Sequence, residues 1–243
     1  MPRGHPDYNE FGYAVAGNKD VSDQSFIAKH GLAPVTGLGR VYLSDFFEDG
    51  FNGWILGGAG GGLAPTLIYT NRYSLKNGLA VVLDPVANGG SSFIQRDIFT
   101  SVETKQGIEL FFVPRQGHGS IDCLFTYSYG TNDTEDYYFG YNQVVQKWYA
   151  GNNTNVGYFK TEASDDIFYE RLLRFKFVFD IPNRVFDKLF LGDATVDIST
   201  HTPANFANGY EGQSIIQILI SGVSAVYKEP LNLCGFIWTV DEP

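Results

Sequence analysis

The stretch RLLRFKFVFDI, residues 171–181, carries the clearest structural signal in the chain. Apolar side chains occupy every second position from Leu173 to Ile181, and Arg174, Lys176 and Asp180 stand between them. Because successive side chains of a β-strand point to opposite faces, this period of two predicts a strand with one apolar face. No segment shows a comparable helical period, so β-strand is the expected secondary structure of the chain.

Turn signals separate this strand from other apolar runs. Gly192-Asp193 follows KLFL and predicts a tight turn, and Asn77-Gly78 precedes LAVVL and predicts a hairpin. The aromatic segments DYYFGYN and QKWYAG predict a second hairpin. Many short strands separated by Gly, Asn and Pro predict an all-β chain, folded as an antiparallel β-sandwich of the jelly-roll kind.

The composition narrows the classes of partner. The chain has 243 residues, a net charge of -10 and only 17 Lys and Arg residues. A nucleic-acid backbone and an anionic membrane both attract clustered basic side chains, so neither is an expected partner. With 44% hydrophobic and 18% charged residues, the chain can bury a sizeable core.

The first forty residues differ from the rest. Residues 1–40 have scattered apolar side chains and no sustained period, which predicts an extended N-terminal arm, whereas residues 41–243 read as the sandwich domain. The opening MPRGHPDYNEFG lacks the apolar core of a signal peptide. The apolar stretch at 214–226 is shorter than the ~20 residues a spanning helix needs, so no transmembrane segment is expected.

Three segments carry a resemblance to a known superfamily. They are SDFFEDGFNGW at residues 44–54, LRFKFVFDI followed by VFDKLFLGDATVDI, and the closing TVDEP. Residues 41–243 resemble the concanavalin A-like lectins and glucanases. The resemblance implies two stacked antiparallel sheets in which the first and last strands often lie side by side. That fold hosts lectins, glycan hydrolases, lyases and structural modules, so it does not decide the function.

Acidic residues near both ends of the sandwich suggest a calcium site. Asp45, Glu48 and Asp49 lie within five residues, and Asp241 follows the last strand. If the first and last strands pair, these carboxylates could converge, and calcium prefers such oxygen ligands. The resemblance adds support, because many jelly rolls hold an ion at this seam. The alternative is an ordinary solvated acidic turn.

The aromatic hairpin suggests a sugar platform. Aromatic rings stack on sugars and amides bond to hydroxyl groups, so the predicted glycan-binding residues are Tyr137, Tyr141, Asn142, Trp148 and Tyr149. The alternative is packing between the sheets, because alternation turns about half of such rings inward.

Catalysis has little support in the sequence. The E-x-D-x-E arrangement of the glucanases that the chain resembles is missing, and EASDDIFYE, residues 162–170, has acids at another spacing. The segment GGAGGG lacks the Lys-Ser/Thr that a phosphate loop requires. We expect no enzymatic activity. Cys123 and Cys234 are read as buried thiols, although their pairing stays open.

These observations favour a structural or attachment protein. We expect a lectin-like jelly-roll subunit of a larger assembly, such as the capsid decoration or tail of a phage virion, and a homo-oligomer on a virion or extracellular surface. The alternative is a carbohydrate-binding module, and less so a glycan hydrolase or lyase. The arm would supply the assembly contacts through Tyr8, Phe11, Tyr13, Phe26, Ile27 and Leu32.

Overall fold

A computed structural model gives the arrangement of most of the sandwich. It describes residues 40–47, 50–51, 53–69, 79–86, 89–98, 104–113, 120–128, 134–142, 147–151, 156–159, 173–191, 194–206, 214–221 and 230–242. The regular structure within these ranges is β-strand, arranged in two antiparallel sheets of eight strands. No helix in the described part of the chain is long and apolar enough to span a membrane.

Sheet A contains the strand with the clear period of two, Leu173–Asp180. Across the sheet its strands are β13 (Ala194–Asp197), β12 (Val185–Leu191), β11 (Leu173–Asp180), β6 (Lys105–Val113), β16 (Leu231–Val240), β4 (Leu79–Leu83) and β3 (Thr66–Tyr69), and β1 (Arg40–Asp45) also pairs with β16.

Sheet B contains the aromatic hairpin. Its strands are β10 (Val156–Phe159), β9 (Lys147–Gly151), β8 (Thr134–Asn142), β7 (Ser120–Ser128), β15 (Ser214–Ser221), β5 (Ser91–Ile98) and β2 (Ile55–Ala59), and β14 (Ala204–Phe206) also pairs with β8.

The core lies between the two sheets and is largely aromatic. Phe177 of β11 faces Phe139 of β8 with ring centroids 4.2 Å apart, and Phe125 of β7 lies 5.0 Å from Phe179. Phe175, Phe177 and Phe179 are buried on one face of β11, as the period of two predicts. Each such side chain stabilises the fold by about 1.5–3 kcal/mol through burial.

Three predicted connections can be compared with the strand register. Leu191 pairs with Ala194, so Gly192-Asp193 joins a two-residue hairpin, and the pairing of Asn142 with Lys147 confirms the aromatic hairpin. Tyr69 pairs antiparallel with Leu79, so β3 and β4 are joined through residues 70–78. Asn77-Gly78 lies outside the described residues, so a turn there stays a prediction.

Two charged residues of β11, Lys176 and Asp180, are buried on the other face of sheet A. The Lys176 ammonium pairs with the Glu242 carboxylate, which also accepts a hydrogen bond from the Thr239 hydroxyl. Gly107 makes room for this group, because a Cβ there would lie 2.5 Å from Cε of Lys176. Lys176 is fully buried, since a partner compensates a charge that would be costly alone.

The two cysteines lie in different sheets. Cys123 is on β7 of sheet B and Cys234 is on β16 of sheet A, and both are buried free thiols. Burial raises the pKa of both thiols, that of Cys234 to about 12. Neither thiol is therefore a reactive nucleophile in the folded protein.

Candidate functional site

The outer face of sheet B, the side turned away from the core, carries a band of polar and aromatic side chains. Strand alternation places Asp122 and Thr126 of β7 on this face, together with Asp136, Tyr138 and Asn142 of β8. The alternate positions on the same two strands face the core, among them Phe125, Tyr137 and Phe139. We call this set of outward residues, with Ser120, Gln95, Gln217 and Tyr149, the outer band.

Asp122 lies at the centre of the outer band. Its carboxylate accepts hydrogen bonds from the Ser120 hydroxyl at 2.5 Å and from the Tyr138 hydroxyl at 2.9 Å. Asp122 is buried, and this burial raises the pKa of its carboxyl to about 6, against the lowering effect of both hydroxyl groups. The hydrogen bond to Asp122 therefore fixes the position of the Tyr138 hydroxyl. Asp122 itself has little exposed surface for a ligand.

Two tyrosines of the outer band lie side by side. The rings of Tyr138 and Tyr149 are tilted at 35° with centroids 5.4 Å apart. Tyr149 lies over Gly140, where a Cβ would come within 2.8 Å of the Tyr149 hydroxyl oxygen. Tyr149 is 3% exposed and thus supports its neighbour, whereas Tyr138 is half-buried and keeps part of its ring accessible.

Hydrogen-bonding side chains share this face with Tyr138: Asp136 lies two residues along β8, whereas Gln217 and Gln95 lie two and three strands away, beyond Leu124. The Thr126 hydroxyl donates to Asp136 at 2.7 Å, and burial raises the pKa of the Asp136 carboxyl. Gln217 Nε2 donates to Gln95 Oε1 at 3.4 Å on the same face. Carboxylates and amides beside a fixed tyrosine can bond the hydroxyl groups of a polar ligand while the ring contacts its apolar surface.

The acids of the outer band are far apart. Asp122 is opposite Gly140 and Asp136 is opposite Thr126, so they are separated by four residues along the strands, which is about 13 Å. Paired carboxylates that cleave glycosidic bonds stand roughly 5–9.5 Å apart. Asp122 and Asp136 therefore do not form such a pair.

The structure separates the predicted glycan-binding residues into two groups. Tyr137, Tyr141 and Trp148 face the core and are at most 3% exposed, so the prediction is corrected for these three rings. Trp148, for example, packs against Phe175 with centroids 4.9 Å apart. Asn142 and Tyr149 point to the outer face, where Asn142 is half-buried.

The predicted calcium residue Asp45 already has other partners. Its carboxylate accepts hydrogen bonds from the Phe47 amide and from Trp54 Nε1, both at 2.7 Å, and Arg96 lies 3.4 Å away. Arg96 also lies over the Trp54 ring, 5.8 Å from its centroid. Asp45 thus joins β1 of sheet A to β5 of sheet B, and it would have to give up these contacts to bind calcium.

The register separates the other predicted calcium ligands. The first and last strands pair as expected, but Asp45 is opposite Phe236 whereas Asp241 follows Val240, the partner of Arg40. Asp45 and Asp241 thus lie at opposite ends of the pairing, roughly 16 Å apart. Within the described ranges no group of three or more His, Cys, Asp and Glu residues is placed to hold a metal ion. Glu48 and Asp49 lie outside the described residues, so calcium at their turn stays a prediction.

The predicted assembly contacts of the arm also lie outside the described residues. They are Tyr8, Phe11, Tyr13, Phe26, Ile27 and Leu32.

Asp122 was not predicted as a site residue, and Tyr138 belongs to the aromatic hairpin but was not among the five predicted glycan-binding residues. A signal was present in SIDCLFTYSY, where Asp122 alternates with the core residues Ile121 and Cys123. The register of β7 with β8 was also needed, because only that pairing brings the two side chains together across the strands.

Comparisons with known proteins support the fold. No family model and no curated protein matches the sequence. Among solved structures, the cellulose induced protein Cip1 is similar over 81% of this chain and 96% of its own, with 12% identity and a TM-score of 0.54. A laminarinase from Flavobacterium sp. UMI-01 is similar over 82% of this chain and 100% of its own, with 11% identity and a TM-score of 0.50.

A carbohydrate esterase from the Shiga toxin-encoding bacteriophage phi24B is also similar, over 84% of this chain and 100% of its own, with 12% identity and a TM-score of 0.48. Sequence identities of 11–12% show that the folds are alike, but they do not show a shared function. With the two stacked sheets and the pairing of β1 with β16, the likeness to Cip1 and to the laminarinase leads to one conclusion: this chain has the concanavalin A-like lectin/glucanase jelly-roll fold.

Proposed function

We propose that the protein binds a glycan on the outer band of sheet B. The observation that carries this proposal is the half-buried Tyr138, whose hydroxyl is held by the buried Asp122 among polar side chains. A ring fixed in this way contacts a sugar without first losing side-chain freedom, which favours affinity. The acids of the outer band favour a neutral glycan over an anionic one, because like charges repel.

The proposed activity is binding without hydrolysis. The support comes from the spacing of about 13 Å between Asp122 and Asp136, which is too wide for a glycosidase pair. Asp122 is also enclosed by Ser120 and Tyr138, so it does not face a bound sugar directly.

The test is an array of soluble neutral oligosaccharides, namely glucans, mannans and chitooligosaccharides, followed by calorimetry on the best binder. We expect Tyr138→Ala to weaken binding at least about tenfold, which corresponds to ~1.4 kcal/mol. Tyr42→Ala is the matched control, because Tyr42 is a 47% exposed tyrosine on β1 of the other sheet. Equal affinities for the two variants, or no binding on the array, would refute the proposal.

A second candidate function is the assembly subunit, such as a virion decoration or tail protein held by its N-terminal arm. The observation that favours it is a group of exposed apolar side chains along one edge of the sandwich, among them Leu63 and Ile55. Either role suits a virion or extracellular surface. Serine substitutions of the six apolar arm residues in the full chain test it: light scattering should show loss of a large species. An unchanged mass would count against the arm.

A further inference from the structure

The outer face of sheet A, the side turned away from the core, is buried. On β6 and β16 the positions between the core-facing residues point to this face, and the register places Phe111 opposite Gly235 and Glu109 opposite Ile237. Phe111, Glu109 and Ile237 are all buried. Further buried apolar side chains on this face are Phe46, Val113 and Val178.

The outer face of sheet B is open by comparison. Its alternate positions include Phe93, Gln95, Leu124 and Gln217, each of which is partly exposed. In sheet A, by contrast, all ten residues of β16 are buried. A strand that is buried on both faces has a packed layer against each of them. Sheet B supplies one of these layers, so a second layer covers the outer face of sheet A.

The described residues supply only part of that second layer. The Phe46 ring lies over Gly235, where a Cβ would come within 2.5 Å of it, and the Glu242 carboxylate lies in the same way over Gly107, at 2.9 Å. Every described strand belongs to sheet A or to sheet B. The rest of the layer therefore has to be supplied by residues outside the described ranges.

We propose that residues 1–39 of the N-terminal arm form this layer by docking on the outer face of sheet A of their own chain. They precede Arg40, which pairs with Val240 beside Thr239 on this face, so the arm reaches the sandwich where the layer is needed. The face measures about 14 Å across the four strands from β11 to β4 and about 30 Å along β6. At about 3.3 Å per residue, the arm is long enough to cross it more than once.

The composition of the arm also fits this face. Its apolar residues include Tyr8, Phe11, Tyr13, Phe26, Ile27 and Leu32. The next longest stretch outside the described ranges, residues 160–172, contains the acids Glu162, Asp165, Asp166 and Glu170. Because the face already holds the buried carboxylates of Glu109 and Glu242, further acids would be repelled there. The arm is thus the better occupant.

The proposal is independent of glycan binding, because the outer band lies on sheet B. It competes with the assembly role, in which the same arm contacts a neighbouring subunit. The experiments below therefore separate contacts within one chain from contacts between chains.

The first experiment identifies the occupant in the full chain. A photoreactive diazirine analogue of leucine replaces Ile237, the dilute protein is irradiated, and the cross-linked peptides are identified by mass spectrometry. We expect cross-links to residues 1–39 in a product with the mass of one chain. The same analogue at Leu124, on the open face of sheet B, is the matched control and should give none. The proposal is overturned if residues 1–39 are absent from the Ile237 cross-links, if they come from a second chain, or if Leu124 gives the same yield.

The second experiment releases the arm. Val178→Cys places a thiol on the outer face of sheet A, and the native Cys123 in the core reports on the sandwich itself. Serine substitutions of the six apolar arm residues should raise the maleimide labelling rate at position 178 at least about tenfold, while Cys123 stays protected and the mass stays that of one chain. An unchanged rate at position 178 overturns the proposal. If Cys123 also reacts, the milder variant with only Phe11→Ser and Phe26→Ser decides by the same measurement.

Discussion

At the scale of single residues, burial decides which side chains carry chemistry. Asp122 and Tyr138 form the central contact of the outer band, at 2.9 Å. The aromatic density of DYYFGYN pointed to this hairpin, but alternation fixes only which residues share a face. It does not say which face is the core. That is why Tyr137 was predicted at a binding site and is found fully buried, whereas Tyr138, one residue later, is partly accessible.

Asp122 gives a prediction about the pH dependence of stability. Its pKa rises to about 6 from an ordinary 3.8 because burial disfavours the charged carboxylate. The folded state therefore holds the proton more tightly than the unfolded chain does. The stability this contributes is fully present below about pH 4 and is lost as the pH rises through about 6.

We therefore expect the free energy of unfolding of the wild type to fall by roughly 2 kcal/mol relative to Asp122→Asn between about pH 4 and pH 6.5. Urea melts of both proteins across this range measure the difference. Asp136 also has a raised pKa but is present in both proteins, so its contribution cancels. Parallel pH profiles of the two proteins would show that Asp122 titrates normally.

At the scale of the elements, β11 was the most predictable strand. Its five alternating apolar positions place Phe177 between Phe139 and Phe175, with centroids 4.2 Å and 5.7 Å away. We expect Phe177→Ala to cost about 3–5 kcal/mol, because it removes a buried ring and leaves a cavity. Phe190→Ala on the neighbouring β12 is the control, since Phe190 is only partly buried. Urea melts that show equal losses would mean that β11 is not central to the core.

The pairing and register of strands that are distant in sequence could not be predicted from local sequence patterns. The two-residue turn at Gly192-Asp193 was predictable, because a short turn between apolar runs determines its own register. β3 and β4 also pair antiparallel, but the turn predicted at Asn77-Gly78 lies outside the described residues. The seam of β1 and β16 was expected from the resemblance. Its antiparallel register separates Asp45 from Asp241, and only the structure shows this.

At the scale of the whole molecule, the aromatic core joins the two sheets into one unit. Phe125 of sheet B contacts Phe179 and Trp238 of sheet A, with centroids 5.0 Å and 5.6 Å away. We expect both sheets to unfold together, so that Cys123 and Cys234 become reactive at one urea midpoint. Thiol labelling followed by mass spectrometry distinguishes the two sites. Two separate midpoints would show that the sheets unfold independently.

The central place of β16 has a consequence for how the protein is made. β16 is synthesised after the other fifteen described strands, yet it lies between β6 and β4. Residues 84–230 must be added after β4 before β16 begins, which takes about 7–30 s at ordinary translation rates. Throughout that interval β4 lacks its neighbour, and so does β6 once it has been made, so the growing chain exposes unpaired backbone N–H and C=O groups on the ribosome. The nascent protein is then most open to a chaperone, or to misassembly with a copy growing on the same messenger.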